Sequence, residues 1–186
     1  MVHTQMIAWI NGKTIRKGGT WLIVDVNGLG YRVYASASIV LGAKIGEPIT
    51  MWMHEQQRED GREYFGFAAA DELEFFWKLI TVSGVGPKMG LTIVGASNLN
   101  AVKKWIDQGN IAALSEIHGV GKKTAQKIVL ELKGKLAEAD AGGDEAADAL
   151  VGLGYSREEA RSAVMGIEGA TVEERVKAAL KRLGRR

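Results

Sequence analysis

The sequence predicts an α+β chain of several domains: five short strands, an all-α stretch built on a repeat, and a small three-helix end. Three observations predict it. Apolar alternation broken by tight-turn signals fills the first third. In the middle third, Ser83-Gly84-Val85-Gly86-Pro87-Lys88 and His118-Gly119-Val120-Gly121-Lys122-Lys123 are near-copies of one hairpin, with Gly84 and Gly119 in equivalent places. Near the end, two capping boxes follow a short acidic stretch with paired glycines. The expected domains are 1–68, 69–137 and 146–186, with a linker at 138–145.

In the first domain, Met6–Ile10 is apolar and Asn11-Gly12-Lys13 reads as a turn. Trp21–Val26 and Tyr31–Tyr34 flank Asn27-Gly28-Leu29-Gly30, a strong hairpin signal. Ile49–His54 and Glu63–Phe67 pair around Asp60-Gly61, with a helical turn expected near Ser38–Leu41. Five short strands with tight turns suit a small closed barrel of the oligonucleotide/oligosaccharide-binding (OB) type.

Helices are expected over Asp71–Val82, Pro87–Val94, Leu99–Gln108, Ile111–Glu116 and Lys122–Leu136. Pro87 suits the first turn of a helix, where a missing N–H costs nothing. Glu138–Ala147 is small and acidic around Gly142-Gly143, which is linker composition. Ser156-Arg157-Glu158-Glu159 and Thr171-Val172-Glu173-Glu174 are the capping boxes, and Gly152-Leu153-Gly154-Tyr155 makes a bend between helices. Some 40 residues make a marginal core, as in a docking module on a tether.

The repeat carries the chemistry. Helix, Gly-Val-Gly hairpin and a second helix opening with lysine make a cradle for phosphate. Glycine lets backbone approach an anion and tolerates positive φ. The unpaired N–H groups at the next helix start point at that anion, and the helix dipole adds to them. Two such cradles predict a grip on nucleic-acid backbone without base readout.

Charge supports this placement. The chain carries 24 Lys and Arg against 22 Asp and Glu, a net charge of +2. Residues 69–137 hold 9 basic and 6 acidic groups, whereas residues 138–186 hold 8 and 10. The basic excess therefore coincides with the repeat; by itself it would equally describe a solvated helix face.

Other chemistries lack their residues. There is no cysteine, and His3, His54 and His118 are scattered without metal-ligand spacing, so no cofactor or metal is expected. A phosphate loop ending at Gly12-Lys13-Thr14 would need glycine at Ile7. One ending at Gly121-Lys122-Lys123 would need glycine at Glu116 and a hydroxyl residue at Lys123. A dinucleotide fingerprint at Gly84 would need glycine at Met89. No catalytic residue is assigned. Glu59-Asp60 reads either as an ordinary Asp-Gly turn or, if it faces DNA, as a pair that repels phosphates. Trp9, Trp21, Trp52, Trp77 and Trp105 are dispersed, which favours core or subunit contacts over base stacking. No apolar run reaches membrane-spanning length and no signal-peptide core is present, so a soluble, cytoplasmic protein is expected, with no membrane partner.

The order of parts resembles the RuvA family of Holliday-junction branch-migration subunits. The resemblance runs from Met6 to about Leu183. Its most specific pieces are Arg58-Glu59-Asp60 followed by Tyr64-Phe65-Gly66-Phe67, the two hairpins, Lys122-Lys123-Thr124-Ala125, and Ala149-Leu150-Val151-Gly152-Leu153-Gly154-Tyr155. It implies a UBA-like three-helix end and a non-catalytic homotetramer that holds a four-way DNA junction on a basic face; two tetramers sandwiching the DNA would make an octamer. It further implies recruitment of the RuvB ATPase motor, and the RuvC resolvase in a larger complex.

By the same resemblance Glu59 and Asp60 form an acidic pin at the crossover. Gly84, Val85, Gly86, Lys88, Gly119, Val120, Gly121, Lys122, Lys123 and Lys127 hold the duplex arms. Lys127 stands where many family members have arginine, which keeps the charge but gives up a bidentate phosphate contact. Leu150, Leu153, Tyr155 and Leu180 would dock the motor; the bland alternative for these four is the small domain's own core. Two other classes remain open from the residues alone. One is a helix-hairpin-helix enzyme, a lyase or nuclease module; a lyase would need a nucleophilic lysine near the hairpin, for which Lys122 is the one tempting position. A plain adaptor would bind protein through its barrel.

Overall fold

The computed structural model describes residues 7–59, 61–136, 145–167 and 171–184, with the backbone alone at 157, 158 and 161. Two compact units are present, Met1–Leu136 and Ala137–Arg186.

Five strands form the barrel: β1 (Trp9–Lys17), β2 (Trp21–Val26), β3 (Leu29–Ala35), β4 (Pro48–Arg58) and β5 (Gly61–Phe67), with α1 (Ala37–Gly42) between β3 and β4. They close in the order β1-β2-β3-β5-β4, and β4 returns to β1. Every pairing is antiparallel except β3 with β5. Alternation explains the strands: Leu22, Val24, Val33, Met51 and Met53 point into one buried cluster. Asn27 (φ 52°) and Gly28 (φ 90°) make the two-residue turn between β2 and β3, the conformation that an Asn-Gly pair adopts most cheaply. Asp25 Oδ1 accepts from the Gly28 N–H at 2.8 Å and ties the turn.

One expected turn is absent. Asn11-Gly12-Lys13 lies inside β1, which pairs with β4 through Asn11↔Thr50 and Gly12↔Ile49. Gly12 is small for a different reason: a Cβ there would lie 2.3 Å from the Asp25 carbonyl oxygen and 2.7 Å from Val24 Cγ1. The glycine permits close approach of β1 and β2 rather than a reversal of the chain.

Helices α2 (Ala70–Thr81), α3 (Pro87–Val94), α4 (Leu99–Asp107), α5 (Ile111–Ser115) and α6 (Lys122–Leu132) follow. Asn98 and Asn110 cap α4 and α5, accepting from the N–H groups of Ala101 (2.8 Å) and Ala113 (3.1 Å). Helix α6 stops at Leu132, four residues short of the expected end; Gly134 takes positive φ and its N–H donates to Asp107 Oδ1 at 3.2 Å.

The barrel shares its packing with these helices. Phe65 and Phe67 of β5 belong to the same buried cluster as Leu73, Phe76, Leu79, Val85, Leu114, Val120 and Ile128. The Phe67 and Phe76 rings stand 4.8 Å apart, and Trp77 Nε1 donates to buried His54 at 3.3 Å.

The second unit contains α7 (Glu145–Gly152), α8 (Arg157–Val164) and α9 (Val172–Leu183). The first capping box forms in both directions, the Ser156 N–H donating to Glu159 and the Glu159 N–H to Ser156 Oγ, and at the second the Glu174 N–H donates to Thr171 Oγ1 at 3.2 Å. Of the stretch expected as linker, 138–144 lies outside the described residues, while Glu145, Ala146 and Ala147 already form α7, the two alanines buried in its core. No helix among the described residues is long and apolar enough to cross a membrane.

Candidate nucleic-acid interface

The two hairpins have the same construction. The first glycine of each takes positive φ: 92° at Gly84 and 82° at Gly119. The second is the helix N-cap, Gly86 (φ −86°, ψ 170°) before α3 and Gly121 (φ −78°, ψ 163°) before α6. Neither N-cap has a side chain to satisfy the helix's first N–H groups, and both cap glycines are exposed. Between the glycines the valine turns inward: Val85 is 4% and Val120 3% exposed. Their N–H groups close the tight turns onto Val82 O (3.0 Å) and Ile117 O (2.9 Å). Each hairpin is thus plugged into the core by valine, while its glycine backbone remains at the surface.

The lysines are exposed in both copies, but their surroundings differ. Lys88 Nζ lies 3.3 Å from Glu63 Oε1 and 5.1 Å from the centre of the Tyr34 ring. Lys122, Lys123 and Lys127 open α6 and make no ion pair among the described residues.

Beside Lys88, the β4–β5 hairpin supplies a set of charges of which the sequence marks only Arg58, through its place before Glu59 and Asp60. Arg58 Nε donates to Glu63 Oε2 at 3.1 Å, and Arg62 donates to Glu55 Oε1 at 3.0 Å. Arg32, Arg58, Arg62, Glu63 and Lys88 line an open cleft of about 430 Å³. Burial pushes the Glu63 carboxyl up, but hydrogen bonds from Arg58 and Lys88, and then their charges, outweigh it and hold the group below its ordinary value. Only strand alternation could have hinted at this cleft: Arg58 pairs with Gly61 and Gln56 with Glu63 across the hairpin, but nothing in the sequence joins Glu63 to Lys88.

Glu59 is exposed at the tip of this hairpin, immediately after β4. Asp60, its partner in the expected pin, lies outside the described residues. Trp9 and Trp52 face each other across β1 and β4 and are 50% and 41% exposed, whereas Trp21, Trp77 and Trp105 are half-buried. Among the described residues no group of three or more His, Asp or Glu comes together to hold a metal.

The four residues named for motor docking separate in the second unit. Leu150 is fully buried in the three-helix core, so it supports that unit from within and offers no surface. Tyr155 and Leu180 are half-buried against the same core. Leu153 alone of the four is well exposed, at 61%.

Comparison with known proteins covers nearly the whole chain. Residues 6–66 match the family described as RuvA N terminal domain, residues 76–135 the SAM-like Helix-hairpin-helix tandem, and residues 142–184 the RuvA C-terminal domain. Relatives named Holliday junction branch migration complex subunit RuvA include that of Desulforamulus reducens, 40% identical over 95% of this chain and 95% of its own. That of Dehalococcoides mccartyi is 40% identical over 94% and 97%, and that of Thermoanaerobacter sp. 39% over 96% and 99%. With a closed five-stranded barrel, paired Gly-Val-Gly hairpins and full-length similarity of this order, the chain belongs to the RuvA family.

Proposed function

We propose that this protein binds four-way DNA junctions by shape and brings the RuvB motor to them for branch migration, without catalysing a reaction itself. The observation that carries the reading is the equivalence of the two hairpins. Two glycine backbones with open N-caps, each followed by exposed lysine, suit two points on a phosphate backbone and present nothing that reads a base edge. Names of the relatives support the junction as the target.

In this reading Gly84, Val85, Gly86 and Lys88 form one grip, and Gly119, Val120, Gly121, Lys122, Lys123 and Lys127 the other. Glu59 and Asp60 act by repulsion: carboxylates brought among phosphates disfavour strands that cross between them. A homotetramer would set four such tips around one crossover. The small three-helix unit docks the motor, with Leu153 as its exposed apolar contact and Tyr155 and Leu180 at its margin.

The test is a titration against a synthetic four-way junction and a linear duplex of equal length, at two salt concentrations, with complexes sized by light scattering. Strong junction preference with a mass of four or eight subunits is expected, and affinity should fall by roughly 10³-fold or more from low to moderate salt. Equal binding of both DNAs by a monomer would withdraw the junction assignment.

A further inference from the structure

Glu63 is placed where a phosphate would be useful. One carboxylate oxygen accepts from Arg58 and the other faces Lys88, at 3.1 and 3.3 Å. Two further cations, Arg32 and Arg62, line the same cleft, and Arg62 is already held by Glu55. Lys88 is additionally seated over Tyr34 on β3, so both its anchors come from the barrel. The side chain of Lys88 is nevertheless 66% exposed and that of Arg58 48%, so both reach solvent from the cleft. A carboxylate accepting hydrogen bonds from two cations occupies the same donors that a phosphate oxygen would use.

We infer that Glu63 is an internal competitor for DNA phosphate: it holds Lys88 and Arg58 in the free protein and gives them up when a backbone phosphate enters the cleft. The inference rests on the DNA-binding reading above and assigns the first grip a tuning residue that the repeat itself does not contain. Binding at the first hairpin therefore exchanges one anion for another, whereas binding at the second hairpin meets lysines with no protein partner among the described residues. Exchange lowers affinity at the first hairpin. It also lowers its salt dependence, because the Glu63 carboxylate left in the cleft offsets part of the cationic charge, so fewer counterions leave the DNA. The low-lying carboxyl of Glu63 keeps this competitor charged through the neutral range.

The test is Glu63→Gln in the full chain, titrated against the four-way junction and the linear duplex over a salt series, with Lys88→Ala and the double variant beside it. The expected result is tighter binding to junction DNA by roughly three- to tenfold, with a log–log salt slope steeper by about 1–2 as two cations are released. In the Lys88→Ala background the gain from Glu63→Gln should shrink to the part owed to Arg58. Glu63→Asp, which keeps the charge but shortens the reach to two partners, should fall between Gln and the native chain; it keeps the test alive if Gln perturbs folding. Unchanged or weaker binding by Glu63→Gln, with native binding intact, would overturn the competitor role. If the native protein binds neither DNA at low salt, the DNA-binding reading itself fails.

Discussion

The two hairpins share a backbone and differ in their company. Gly84 and Gly119 adopt the same left-handed conformation, Val85 and Val120 are buried alike, and Gly86 and Gly121 start their helices with matching dihedrals. Around that common frame, the first copy has Pro87 at the first helical position and a lysine held by Glu63 and Tyr34. The second has Lys122 in the place of Pro87, then Lys123 and Lys127, all exposed. The difference teaches that a repeat fixes where an anion can be met, while the tertiary neighbourhood fixes how freely it is met. Pro87 removes one N–H donor from the first cradle, and Glu63 occupies its cation.

The largest effect should come from stripping the free copy. Lys122→Ala with Lys123→Ala is expected to weaken DNA binding about tenfold or more at moderate salt and to flatten the log–log salt slope by about 2. Lys88→Ala should cost less than half as much on the logarithmic scale. Equal losses in filter-binding or anisotropy titrations would erase the asymmetry.

The sameness of the two frames can be broken next. Gly84→Ala and Gly119→Ala each place a Cβ in open space but at positive φ, so the penalty is conformational, about 1–2 kcal/mol in either copy. Urea unfolding monitored by circular dichroism reads it. A twofold difference between the copies would mean that the frames are not equivalent.

A smaller change sharpens the donor argument. Pro87→Ala restores an N–H to the first cradle and should tighten DNA binding by about twofold, an order-of-magnitude expectation for one added donor near a helix start. It should also destabilise the fold by about 0.4–1 kcal/mol through the freer unfolded chain. Weaker binding with unchanged stability would show that the proline, not the missing donor, matters at this site.

The smallest effect concerns pH. Glu63 lies below its ordinary value of 4.5 in the folded protein, so its contribution to stability is present above 4.5 and is lost as pH falls through the lower folded value. Glu63→Gln should therefore lose less stability than the native chain over that acid range. Parallel urea midpoints for the two proteins across it would remove the ion pairs with Arg58 and Lys88 as a source of acid sensitivity.

Legibility followed the range of the interaction. The hairpins, the Asn27-Gly28 turn, the capping boxes at Ser156 and Thr171, and Pro87 at a helix start each depend on residues within a few positions of one another. The errors have the opposite character. Gly12 reads as a turn because Asn-Gly usually makes one, yet its role is set by Val24 and Asp25 on the neighbouring strand. Leu150 reads either as a docking residue or as core of the small unit, and its burial beside residues of α8 and α9 is decided by tertiary packing. Glu63 drew no notice because its two partners lie on different elements and Lys88 is 25 positions away.

By itself the sequence determined the succession of barrel, tandem hairpins and three-helix end, because periodicity, turn chemistry and capping are local properties that a chain carries wherever it folds. Tertiary structure alone decided which residues meet: β5 lying against β3 and α2 brings Glu63 to Lys88, places Phe67 under Phe76 and buries both hairpin valines in one core. The physical reason is that charge pairing and burial depend on distance in space, and packing the helices against the barrel brings within 4 Å groups that chain order keeps apart.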